Sequence, residues 1–294
     1  MSSYSLYRCA VVAISTSSLD LVLERDSPIH ILRSTIHIDD QSYSDGLNMK
    51  AEQFNEWLSA HPNGGATTEP PDANAILEMF QLLKSQGYHQ VIITTPSRKL
   101  SNTYHDINQL VPKIAGELEV YLFDTGTLSL PEGFFAQEAV RLLDKDMAPA
   151  DIITYLEQVR LNSQIIFSID SLNALAKSRY FNRVGATIAD WLNIKPILRF
   201  KNGELSRLNT IRSTETALDE IAHIVAAKIK DKNVETYGLY CGNIEQYNQF
   251  AEKVYQYSGL QIKGYPISPA ASVHIGNNAI GVGIVGKLPL ILKD

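Results

Sequence analysis

Apolar and polar positions alternate along this chain in blocks that read as strand, turn and helix. Cys9–Ile14 (CAVVAI) is a continuous apolar run, the pattern of a strand buried on both faces. It leads into a hydroxyl-rich loop, Ser15-Thr16-Ser17-Ser18. Ile29–Ile38 reads as a second strand and Tyr43-Ser44-Asp45-Gly46 as a turn. A helix opening at Asn48 or Lys50 would put Phe54, Trp57 and Leu58 on one face. His61–Pro71 (HPNGGATTEPP) is the clearest loop. Asp72 is placed to cap a helix whose stripe is Ile76, Met79, Phe80 and Leu83, with Gly87 as its stop. Next come a strand at Val91–Thr95, a helix from Ser101 to about Ala115, and a strand at Val120–Phe123. Helices at about Pro131–Asp144 and Pro149–Leu161 complete this half.

The second half has a different rhythm. Ile165–Ile169 reads as a strand, and residues 171–191 hold one or two helices. Ile194–Phe200 and Leu205–Ile211 flank Asn202-Gly203, a strong hairpin signal. A long helix spans about Thr214–Lys230. Strands at Tyr237–Cys241 and Ile262–Ile267 bracket a helix at about Ile244–Tyr257, and Ala279–Val285 is a last apolar strand. The regular alternation before residue 162 predicts a parallel, doubly wound sheet. The mixed signals after it predict a second α/β domain with a mixed sheet. The expected division is therefore 1–161 and 162–294.

Composition narrows the function classes. A length of 294 residues suits one large domain or two smaller ones. A net charge of −6 argues against a nucleic-acid binder. No run approaches the ~18 apolar residues of a membrane span. The N-terminal MSSYSLYRCAVVAI reads as a first strand rather than a signal peptide. Cys9 and Cys241 lie in separate apparent strands and read as reduced core thiols, which fits a cytoplasmic protein. Without CxxC or HExxH, neither a metal site nor a cofactor is expected.

Three stretches invite chemistry. Val91–Tyr104 (VIITTPSRKLSNTY) is a strand, a polar turn and a helix start, the position where α/β folds bind anions. Taken alone, it reads better as an ordinary helix cap at Ser101 or Asn102 followed by a solvated helix. Gly281–Gly286 matches GxGxxG, but the dinucleotide motif must open a helix, and Pro289 follows too soon. A final strand packed closely on a neighbour explains these glycines better. His274 lies in AASVHIGNNAIG, which reads as a loop, and Thr67-Thr68-Glu69-Pro70 reads as a turn before the Asp72 cap.

The order of these features resembles the DegV family of bacterial fatty-acid-binding proteins. Ser15-Thr16, SYSDG, TTEP, TTPSRKLSNTY, FDT, LNIKPIL, NGEL with IRS, and HIG appear in register along nearly the whole chain. The resemblance implies two α/β domains with a long-chain fatty acid between them, its tail in an apolar tunnel. It implies a carboxylate held by Thr67 and Thr68, by Ser101 and by His274, with Thr95 and Asn102 as further candidates. It also implies no catalysis by the chain itself, and presentation of the bound acid to a fatty acid kinase. Asn102 stands where the family has glycine, and Asn is the non-glycine residue best suited to positive φ. In place of the family's basic K-K-G-G-R-I run, associated with docking the kinase, this chain reads Ala176–Phe181; Lys177, Arg179 and Arg183 keep the region basic. The alternatives are a diverged member that binds another apolar carboxylate or acts through protein contacts only, and a phosphoryl-transfer enzyme. The last ranks low, because no P-loop, metal-binding carboxylate cluster or nucleophile–base pair can be assembled.

Overall fold

The structure, a computed structural model, describes residues 7–61, 64–114, 116–170, 175, 194–230 and 233–288. The helices expected over 171–191, and Lys177, Arg179 and Arg183, lie outside the described residues.

The first strands are β1 (Cys9–Ile14), β2 (Ile29–Leu32), β3 (Thr35–Ile38), β4 (Gln41–Ser44), β5 (Thr67–Glu69), β6 (Gln90–Thr95) and β7 (Glu119–Asp124). Four of them form a parallel sheet in the order β2-β1-β6-β7. The interleaved helices are α1 (Ala51–Ala60), α2 (Ala73–Ser85), α3 (Thr103–Leu110), α4 (Leu130–Leu143) and α5 (Pro149–Leu161). Asp72 caps α2 by accepting from the Asn74 and Ala75 N–H groups, and Gly87 follows its end with φ +83°. Ile76, Phe80 and Leu83 of α2 are buried on one face of the parallel sheet. Each such side chain contributes about 1.5–3 kcal/mol, so packing rather than the cap, worth ~1 kcal/mol, fixes this helix.

The later strands are β8 (Gln164–Ile169), β9 (Lys195–Lys201), β10 (Glu204–Ile211), β11 (Val234–Cys241), β12 (Gly264–Pro266) and β13 (Ala279–Gly286). They form a mixed sheet in the order β10-β9-β8-β13-β11-β12, with only β11–β12 parallel. Asn202 and Gly203 turn the β9–β10 hairpin, both at positive φ. The helices here are α6 (Thr214–Ile229), α7 (Ile244–Ser258) and α8 (Pro269–Ile275). The layers stack as α2 and α3, parallel sheet, α4 and α5, mixed sheet, α6 and α7. Helix α4 is buried on most sides because both sheets use it. The glycine-rich strand serves that packing: a Cβ on Gly283 would collide with the Pro131 ring of α4.

Some expectations are corrected. Ile29–Ile38 is two strands in two sheets, β2 and β3. The chain breaks at Ser34, whose N–H donates to Ser15 Oγ at 3.1 Å instead of joining a ladder. Thr67–Glu69 is a strand, not a turn. It pairs antiparallel with β3, Ile36 opposite Thr68, in a small sheet of order β4-β3-β5. The helix after Ser101 ends at Leu110 and tightens into a 3-10 turn over Val111–Ile114, where Pro112 has no N–H to continue it. His274 lies on α8, not in a loop; Pro269 starts that helix, Ser268 caps it and Gly276 ends it.

Candidate functional site

The inner face of the mixed sheet is only partly covered by α4 and α5. Beside them lies a cavity of about 890 Å³. Its apolar wall takes Ile165 and Phe167 from β8, Phe200 from β9, Leu205 from β10, Leu239 from β11, and Phe54 and Leu58 from α1. Strand alternation produces this wall, since residues two apart share a face. On β8, Ile165 and Phe167 face the cavity while Ile166 packs under α6 and α7.

The polar groups come from three separate segments. Thr67 and Thr68 arrive on β5, Ser101 and Asn102 on the turn into α3, and His274 on α8; all line the cavity. Thr68 Oγ1 and His274 Nε2 lie 2.8 Å apart, a direct bond between β5 and α8. Ser101 is held by a tight turn in which its N–H donates to the Ser97 carbonyl at 3.0 Å. Its Oγ lies 2.8 Å from Thr103 Oγ1 and accepts from the Thr103 N–H at 3.2 Å, which ties Ser101 to the first residue of α3. Asn102 has φ −80°, so this turn needs no left-handed residue and tolerates the loss of glycine.

Thr95 is not brought to the cavity. It is fully buried at the end of β6, and its hydroxyl donates to the Phe123 carbonyl of the neighbouring strand at 3.3 Å. Glu69 reaches the rim, but its side chain is 71% exposed, with a carboxyl oxygen 3.3 Å from His37 Nε2. The described lining contains no lysine or arginine. Among the described residues no cluster of three or more His, Cys, Asp or Glu could hold a metal ion, and no helix is long and apolar enough to cross a membrane.

Sequence reasoning missed a polar floor. Thr16, Ser34 and Ser129 also line the cavity. Behind them are two wholly buried acids, Asp45 and Glu132. Asp45 accepts from the Ala270 N–H at 3.2 Å, joining the β4 turn to the start of α8. Burial pushes its carboxyl up to about 6, against the opposing pull of Ser15, the Ala270 N–H and Arg33. Glu132 sits in the first turn of α4, where the helix dipole favours an anion by roughly 0.3–1 kcal/mol. Taking a carboxylate out of water costs several kcal/mol, so burial wins and raises Glu132 well above the usual carboxylate range. The nearby Asp45 charge pushes it the same way. Only the hydroxyl-rich Ser15-Thr16 loop hinted at this floor in the sequence.

A sequence profile described as "Uncharacterised protein, DegV family" matches residues 8–287. The chain belongs to the DegV family. A DegV domain-containing protein of Listeria innocua is 25% identical over 277 residues, covering 94% of this chain and 97% of that one. Solved DegV structures share the fold. The fatty acid binding DegV family protein of Streptococcus agalactiae superimposes with a TM-score of 0.86 at 21% identity, over 96% of this chain and 100% of that one. Bacillus subtilis DegV, described as a fatty acid binding protein, gives 0.82 at 24% identity, over 95% and 99%. A stearic acid-binding protein of Eubacterium ventriosum gives 0.84 at 18% identity, over 96% and 99%. The α/β architecture, one parallel and one mixed sheet, is thus that of DegV proteins.

Proposed function

We propose that this DegV protein binds a long-chain fatty acid in the cavity and does not transform it. The carboxylate is held by Thr68, Ser101 and His274, with Thr67 and Asn102 alongside. The tail lies against Phe54, Ile165, Phe167, Phe200 and Leu239. Residues 1–161 and 162–294 act as two lobes around it. The observation that carries this reading is a polar corner without lysine or arginine among its described residues, joined by the 2.8 Å Thr68–His274 contact, beside a long apolar wall in the same cavity. Solved relatives described as fatty acid binding add support.

The energetics fit the role. Each buried methylene contributes about 0.8 kcal/mol, so the tail dominates affinity. Hydrogen bonds to a charged group contribute roughly 1.5–3 kcal/mol each and set orientation. Neutral donors also leave the carboxylate free to act as a nucleophile toward a phosphoryl donor. On that ground we extend the reading to presentation of the acid to a fatty acid kinase, with Lys177, Arg179 and Arg183 as the docking residues.

Native mass spectrometry of protein purified from cells tests the first part: a fatty-acid mass increment is expected, and a bare chain under every expression condition would overturn it. Acyl-phosphate formation with added kinase, reduced by Arg179→Ala, tests the second.

A further inference from the structure

We propose that Thr16 is a further ligand of the head group, and that Glu132 is the positioning residue that turns its hydroxyl toward the cavity. This deepens the fatty-acid reading and rests on it.

Thr16 stands out by exposure. Every residue from 9 to 19 is buried except Thr16. It lies in the short turn after β1, at the carboxyl edge of the parallel sheet, and the space it opens to is the cavity. Its backbone is fixed, since its carbonyl accepts from the Ser129 N–H at 3.1 Å. The same edge carries the Ser101 turn after β6, so Thr16 and Ser101 reach the cavity from adjacent strands of one sheet.

The hydroxyl of Thr16 has one particular partner. Both carboxyl oxygens of Glu132 lie 3.0 Å from its Oγ1. A hydroxyl has one proton to give and two lone pairs. Were Glu132 ionised, that proton would be taken by the acid, and Thr16 would offer a carboxylate ligand only lone pairs. A protonated Glu132 reverses the direction: the acid donates to Thr16 Oγ1, and the threonine proton is released for the ligand. The surroundings favour the protonated form. Glu132 is wholly buried and the titratable group facing it is the Asp45 carboxyl, a like charge. Arg33, the cation that acts on Asp45, is engaged with Asp20 at 2.8 Å and with the Asp45 carbonyl at 2.7 Å. The acid is thus placed to convert a buried proton into a directed donor, on a neutral side chain that a carboxylate can approach.

The test uses the full chain, stripped of lipid and titrated with palmitate labelled with ¹³C at the carboxyl carbon. Thr16→Val should weaken palmitate roughly ten- to hundredfold, as loss of one hydrogen bond to a charged group requires, and should move the bound carboxyl resonance. Thr16→Ser should restore both. Glu132→Ala should weaken palmitate with the same change of resonance. Glu132→Gln, whose amide N–H still donates to Thr16, should restore both. Thr16→Ala replaces Thr16→Val if the latter does not fold. Normal affinity and an unmoved resonance in the Thr16 variants, with His274→Ala weakened, would overturn this proposal and leave the fatty-acid reading standing. Loss in Glu132→Gln equal to that in Glu132→Ala would overturn the positioning role. No palmitate binding by the unaltered chain would instead sink the reading beneath it.

Discussion

Thr68 and His274, separated by 206 positions, meet at 2.8 Å between Oγ1 and Nε2. Each lies on a short element that could not hold it alone: a three-residue strand and a seven-residue helix. If the pair grips a carboxylate, removing either member costs one charge-assisted hydrogen bond, or roughly ten- to hundredfold in affinity. His274→Ala and Thr68→Val should each show this loss when a fluorescent fatty acid is displaced, and the double variant should lose less than the product of the two. Unchanged displacement in both single variants would remove the pair from the head-group site.

The tail makes a different demand. At about 0.8 kcal/mol per methylene, affinity should rise about fourfold with each added carbon until the cavity is full. Leu239→Trp fills part of the apolar wall and should bring that plateau to a shorter chain. A displacement series over saturated acids measures it. A plateau at the same length in both proteins would put the tail elsewhere.

Asp45 should leave a mark on stability. Its native pKa, about 6, lies above the ordinary value of 3.8, so the folded chain holds this proton more tightly than the unfolded one. Stability is therefore highest below that window, falls as pH rises from about 4 to 6, and then levels off. The shift corresponds to roughly 3 kcal/mol. Asp45→Asn keeps an acceptor for the Ala270 N–H and removes the titration, so its urea midpoint should lack this share of the fall. Parallel pH profiles for the two proteins would contradict the assignment.

Gly283 is a packing position. A Cβ there meets the Pro131 ring, and overpacking of this kind costs about 1–3 kcal/mol. Gly283→Ala should lower the urea midpoint accordingly without altering the slope. A midpoint equal to that of the unaltered chain would mean that α4 can move aside at no cost.

The sequence disclosed elements better than edges, and motifs better than their setting. The runs at Cys9–Ile14 and Ala279–Val285 are short, continuous and apolar with β-branched residues, so their length and composition identify them as buried strands. Thr67–Glu69 escaped, because three polar residues beside glycines and prolines carry no strand pattern and pair only through the β3 partner. Thr95 was drawn in by its neighbours, yet its hydroxyl is taken up by the Phe123 carbonyl across the sheet. Glu132 looks in sequence like an ordinary first-turn acid. Its burial follows from two sheets closing on α4, a tertiary fact that no local pattern encodes.

The position of β13 bears on how the molecule is made. It sits between β8 and β11 and is antiparallel to both, although it is the last strand described along the chain. During synthesis the earlier strands emerge first and wait with open edges, which are prone to stray pairing. The mixed sheet is sealed, and the wall of the cavity completed, only when residues 279–286 leave the ribosome and slot into the gap. A nascent chain stalled short of that point would leave the cavity open along the facing edges of β8 and β11, with its wall incomplete.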